Sequence, residues 1–253
     1  MATKKTKTLA NVTTVTTVNA GQYIPLTDAN GNVTKVSLAS LKEALLAGIN
    51  LNSINDCVFI MFHRKSDNYP LMVKPDKWTG YQSGGEIAEG VAVVEGGKIL
   101  VVAPTEATLT WSSAAVSGGG KTTSDRLTAL DDWTGKASTA AQITHSECSA
   151  ESNAPGFCHA YSRVNANKKG LTAGRWWLPS LGELMLIYAN MRKINYALSL
   201  IEGATQLAET WYWSSTEYSA PNAWSLHLGG GLAGYGTKAT NQNRVRAVSA
   251  FLN

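Results

Sequence analysis

The chain has 253 residues, 44% hydrophobic and only 16% charged, with 23 glycines, 8 tryptophans and 4 phenylalanines. That is enough apolar material for a core and little charge for a free-standing cytosolic enzyme, and the Gly/Trp balance points to tight turns around aromatic packing rather than long helices. The net charge of +4 draws heavily on Lys4, Lys5 and Lys7, and no basic stripe with interleaved aromatics follows, which argues against a nucleic-acid partner.

Residues 1–20 are polar and should be extended or disordered on their own. They lack the apolar run of a signal peptide, and no stretch is long enough to span a membrane, so synthesis in a cytoplasm without membrane insertion is expected. Asp28-Ala29-Asn30-Gly31 reads as a turn between short extended runs. Ser37 is placed to cap a helix carrying Leu38, Leu41, Leu45 and Leu46 on one face and ended by Gly48. So short an amphipathic helix needs the main domain, or copies of itself, to cover its stripe. The texture changes near residue 52, which divides the chain into an attachment or oligomerisation segment, 1–52, and a main domain, 53–253.

Residues 58–62 read as a strand, with Cys57 a buried small hydrophobe in that run. Residues 90–94 and 99–103 flank Glu95-Gly96-Gly97-Lys98, a strong hairpin signal. The stretch 112–170 shows little periodicity, with short helices expected at 125–133 and 138–143. Ser180 and Glu183 have capping-box spacing. Behind them Leu181, Leu184, Met185, Tyr188, Met191, Ile194, Leu198 and Ile201 keep helical period, with Asn195 a candidate break. Strands follow at 211–215, at 223–228 with Trp224, Leu226 and Leu228 inward, and at 244–248. No tandem repeat is present.

Several sharper readings lose to plainer ones. Ser117-Gly118-Gly119-Gly120-Lys121-Thr122 resembles a phosphate loop but has Ala115 where the pattern needs glycine, and a flexible loop is preferred. His63, His145, His159 and His227 show no zinc spacing and read as structural or surface residues, so no metal or cofactor is expected. Cys148 and Cys158 flank a short loop and are able to bridge if oxidised, although reduced thiols are favoured. Arg175, Arg244 and Arg246 read as structural, with stems packed on indoles and guanidinium groups on buried carbonyls. Glu183 reads as a helix cap rather than a general acid.

The ordered run GRWWLPSLGEL, then a helix, then WYWSSTEYSAPNAWSLHLGGG and NRVRAVSAF, resembles the formylglycine-generating-enzyme-like branch of the C-type lectin fold. Within it, the run is most similar to the variable proteins of diversity-generating retroelements, found in phage tropism determinants and tail proteins. The match covers about residues 170–253 and extends in strand order, through EGVAVVEGGKILVVA, back to about residue 55. Separately, NAGQYIPLTDANGNVTKVSLASLKEALL resembles the attachment ends of phage structural proteins. The resemblance implies an α+β, C-type lectin-like fold with short antiparallel strands and a capped helix, and a variable region at about 211–253.

The resemblance also implies a function. In that family variable positions derive from adenine-containing codons that reach Ser, Ala, Pro, His, Gly, Tyr and Thr but not Trp, Lys, Gln, Glu or Met. The outward or loop positions Ser219, Ala220, Pro221, Ser225, His227, Gly229, Gly230, Ala233, Gly234, Tyr235, Gly236, Ala239 and Thr240 all fall in the reachable set and are expected to form one ligand-binding surface. Trp224 and Lys238 fall outside it, as fixed scaffold. The protein is then expected to be a virion adhesin of a tail fibre or tail tip, made in the bacterial host cytoplasm. It would be a homotrimer held to tail proteins through its N-terminus, and it would bind a bacterial cell-surface receptor, protein or glycan. Catalysis is not expected: the enzymes of this branch use a late cysteine pair, and no cysteine follows Cys158. Calcium-dependent sugar binding is disfavoured because Glu217 is the one acid between 210 and 253. The alternatives are a non-variable structural tail or decoration protein and, less well supported, a formylglycine-generating enzyme.

Overall fold

The computed structural model describes residues 23–27, 33–37 and 57–251. The chain divides into two compact units, Met1–Ser53 and Ile54–Asn253. In the first, strands β1 (Tyr23–Thr27) and β2 (Val33–Ser37) pair antiparallel, Tyr23 opposite Ser37 and Thr27 opposite Val33. Ser37 is the last residue of β2. The helix expected beyond it lies outside the described residues.

The second unit is α+β, built on two five-stranded sheets. One runs β14-β6-β5-β3-β4, from β3 (Cys57–His63), β4 (Pro70–Val73), β5 (Gly90–Glu95), β6 (Lys98–Val102) and β14 (Val248–Ser249). The other runs β12-β11-β10-β13-β7, from β7 (Ala107–Leu109), β10 (Trp211–Glu217), β11 (Asn222–His227), β12 (Leu232–Thr237) and β13 (Asn243–Val245). A two-residue pair, β8 (Arg163–Val164) and β9 (Gly170–Leu171), stands apart. The β5–β6 hairpin turns on Gly96 and Gly97 at φ 55° and 75°, the left-handed pair that matches strand twist and favours glycine.

Alternation along the strands feeds two cores. Val91, Val93, Ile60, Phe62 and Val102 face one apolar cluster, whereas Ala92, Met61 and Val101 face another, as a period of two requires of a sheet buried on both sides. The first cluster is covered by α6 (Leu181–Ala189) and α7 (Met191–Ser199). The second is lined by Cys148 of α4 (Ser146–Ser149) and by Ala154 and Cys158 of α5 (Ala154–Ala160). Trp177 points to the first and Trp176 to the second, so the WW pair joins both. The remaining helices are α1 (Pro75–Ser83), α2 (Arg126–Leu130) and α3 (Gly135–Gln142). No helix among the described residues is long and apolar enough to cross a membrane.

The Ser180–Glu183 capping box forms in full, a local start signal worth about 1 kcal/mol. The helical run breaks at Asn190, not Asn195. Asn190 leaves helical geometry at φ −109°, ψ 8°, and its amide donates to the Leu186 carbonyl and to Glu95. Asn195 stays helical and braces the following loop through Leu207. The stretch expected as one strand at 244–248 is two. Val245 pairs with β7 and Val248 with β6, and Arg246 marks the crossing between sheets.

Candidate functional site

Register decides where the candidate ligand positions go. Across the antiparallel ribbon β10–β11–β12, Trp224 lies opposite Tyr235 and Leu226 opposite Ala233. Ser225 lies opposite both Trp213 and Gly234, and His227 opposite both Trp211 and Leu232. Directly opposed residues share a face and neighbours along a strand do not. Tyr235 therefore shares a face with the core residue Trp224, while Ser225 and His227 lie on the other. The single surface expected for these three residues does not exist.

Two of the thirteen positions are interior. Ser225 is 3% exposed, with its hydroxyl at 3.5 Å from the Gly234 carbonyl. Gly236 is buried beneath Trp213, where a Cβ would stand 3.0 Å from the indole and 3.0 Å from Asn241. Gly234 is part-covered in the same way by Trp211, at 2.9 Å. Both glycines are seats for indoles. Gly229 is exposed, but a Cβ there would meet that of Glu209 at 2.9 Å. Ala233 packs against the first core cluster. His227 is half-buried and edge-on to Trp211 at 5.2 Å, its Nδ1 without a partner. Gly230 is exposed with room for a side chain, at the β11–β12 turn.

The other six gather at the opposite end of the ribbon. Ser219, Ala220 and Pro221 form the β10–β11 turn, and Ala239 and Thr240 lie in the loop after β12. The two segments are tied by the Lys238 amide donating to the Pro221 carbonyl at 2.9 Å and by the pairing of Asn222 with Thr237. Tyr235, 56% exposed, lies flat on Tyr218 at 3.9 Å and 16°, and both rings meet Trp224 edge-on. Tyr218 escaped the sequence reading, although an aromatic bordering the Ser219 turn was the available signal.

Behind this patch lies a buried anchor. Lys238 and Glu217 are both fully buried and pair at 2.6 Å. The carboxylate accepts from the Gly118 and Gly120 amides at 2.8 and 2.9 Å. The ammonium donates to the Val116 carbonyl and sits 4.4 Å from the centre of the Trp111 ring. Burial pulls the Lys238 ammonium below its ordinary pKa, and Glu217 opposes that pull. The glycine run at 117–122 thus holds a carboxylate of its own chain in the concavity of backbone amides that resembled a phosphate site. Lys238 and Trp224, taken as scaffold, are indeed interior.

Other polar residues brace the frame. Arg246 is buried, donating to the Ala103 and Thr205 carbonyls and to Glu106. Arg244 reaches Glu106 at 3.4 Å with its own side chain 41% exposed. Arg175 is exposed. Glu89, fully buried, holds His63 at 2.9 Å. Cys148 and Cys158 are buried and unbridged, and burial pushes both thiols up, Cys148 to about 11. A buried thiol held protonated is a poor nucleophile.

The Lcl C-terminal domain family model matches residues 101–249. Among solved structures, a fimbrial protein from Bacteroides ovatus is similar at 19% identity and a TM-score of 0.46, over 60% of this chain and 35% of that one. No curated protein matches.

Proposed function

The chain belongs to the Lcl C-terminal domain family, and from that premise we propose that it is an adhesin-like ligand-binding protein whose contact surface is the end of the β10–β12 ribbon. The observation that carries this reading is the Tyr218–Tyr235 stack, in which Tyr235 is exposed between two small-residue loops and Tyr218 rests on the core, with the buried Glu217–Lys238 pair behind. Tyrosines offer large contact area at low conformational cost. A rigid frame with open loops tolerates exchange of the loop residues without loss of fold.

The finer proposal is a receptor-binding protein of a bacteriophage tail that binds a bacterial surface receptor without catalysis and is diversified by a retroelement. It would assemble as a homotrimer through its N-terminal segment. A patch this bare binds weakly as one copy, and several copies on a particle gain avidity through effective concentration. On this reading the exchangeable positions are Ser219, Ala220, Pro221, Tyr235, Ala239 and Thr240, with Gly230 as an outlier at the far turn. Sequencing related isolates tests this: substitutions should concentrate at those positions and spare Ser225, Gly234 and Gly236. An even spread, or none, would instead favour a structural tail or decoration protein.

A further inference from the structure

A cleft of about 260 Å³, lined among others by Lys98, Leu100, Trp133, Trp177, Glu183 and Leu186, opens beside the capping box. It is smaller than the roughly 300–1,000 Å³ of sites for drug-sized ligands, so a headgroup fits it better than an extended chain. Both of its indoles already carry cations. The Lys98 ammonium stands 4.1 Å from the centre of the Trp133 ring, and that of Lys136 stands 5.7 Å from Trp177. Both lie within the ~6 Å over which an aromatic face attracts positive charge.

The polar groups point the same way. Glu183 is a buried carboxyl that accepts from the Ser180 amide at 2.8 Å and from the Trp177 indole N–H at 3.1 Å, both on Oε2. With the Trp177 N–H thus engaged, that indole offers the cleft its ring face and no donor. We infer that the cleft is a cage for an organic ammonium group, occupied in this structure by the chain's own Lys98, and that it accepts a quaternary ammonium headgroup when Lys98 swings out.

The exchange is chemically reasonable. Lys98 is exposed on a flexible stem, and its primary ammonium is strongly hydrated. A quaternary ammonium has no N–H to satisfy, and aromatic cages are the sites that select it. The site is separate from the Tyr218–Tyr235 patch, so either reading can fail without the other.

The test is a titration of the intact protein with choline, followed by tryptophan fluorescence and calorimetry. Saturable binding is expected, tightened at least tenfold by Lys98→Ala, which removes the competing cation. Trp133→Leu should weaken it at least tenfold, with thermal melting showing that the variant folds. A parallel arm compares sedimentation with phosphatidylcholine and phosphatidylglycerol vesicles. Retention on the former alone supports a headgroup read on a lipid surface, and choline binding without retention supports a free ligand. Neither choline binding nor selective retention, or affinity indifferent to Lys98→Ala, overturns the proposal.

Discussion

The turns beside the Tyr218–Tyr235 stack and the opposite face of the β10–β12 ribbon use the same vocabulary of Gly, Ala and Ser for opposite purposes. At 219–221 and 239–240 the small residues border a two-tyrosine platform. At 225, 234 and 236 they lie opposite or beneath Trp211 and Trp213, where they are small because an indole occupies the space. Smallness in a sequence thus has two causes, and only one of them permits replacement.

Comparing the packed region with the open one yields graded predictions. The largest effect should come from the anchor. Lys238→Met leaves the Glu217 carboxylate buried without its cation and should cost about 3–5 kcal/mol in chemical denaturation. Adding Glu217→Gln to Lys238→Met should recover most of that loss. If the single variant loses less than the double, the pair does not anchor the patch.

Next comes Glu183, whose carboxyl is raised from 4.5 to about 7, chiefly by burial. The folded state then holds a proton that the unfolded chain releases at about 4.5. Stability from this group is complete below that pH and is lost as pH climbs through about 7. The loss by pH 8 should be about 3 kcal/mol, since each pH unit separating the folded from the unfolded pKa is worth ~1.4 kcal/mol. Glu183→Gln keeps a capping acceptor and should flatten that slope in melts between pH 5 and 8. A slope unchanged by the substitution would assign the effect to another group.

Smaller again, Gly234→Ser and Gly236→Ser should each cost about 1–3 kcal/mol by crowding Trp211 and Trp213. Ala220→Ser and Thr240→Ser should stay within about 0.5 kcal/mol, as exposed sites do. Tyr235→Ala should leave the melt nearly unchanged while reducing attachment of the protein to its target cells. Equal costs at 220 and 236 would erase the distinction between open turn and packed face.

Much of the fold was legible in the sequence because its signals are local. The hairpin at Gly96-Gly97, the Ser180–Glu183 cap and the inward Trp224, Leu226 and Leu228 each follow from a few adjacent residues. The ordered Trp-rich motifs pointed to the family. What was not legible depends on partners distant in the chain. The break at Asn190 rather than Asn195 is set by Glu95, nearly a hundred residues earlier. The carboxylate that fills the glycine loop at 118–120 comes from Glu217. The split between Tyr235 and the pair Ser225 and His227 needs the register of three strands, which codon chemistry and loop composition do not carry.

The central claim, a replaceable patch confined to the tyrosine face and adjoining turns of a rigid ribbon, is tested most directly by a saturation library across residues 219–240, sorted for folded protein on a display surface. Broad tolerance is expected at Ser219, Ala220, Pro221, Tyr235 and Thr240, with near-invariance at Ser225, Gly234, Gly236 and Lys238. Uniform tolerance along the ribbon, or restriction around the tyrosines with freedom beneath the indoles, would contradict it.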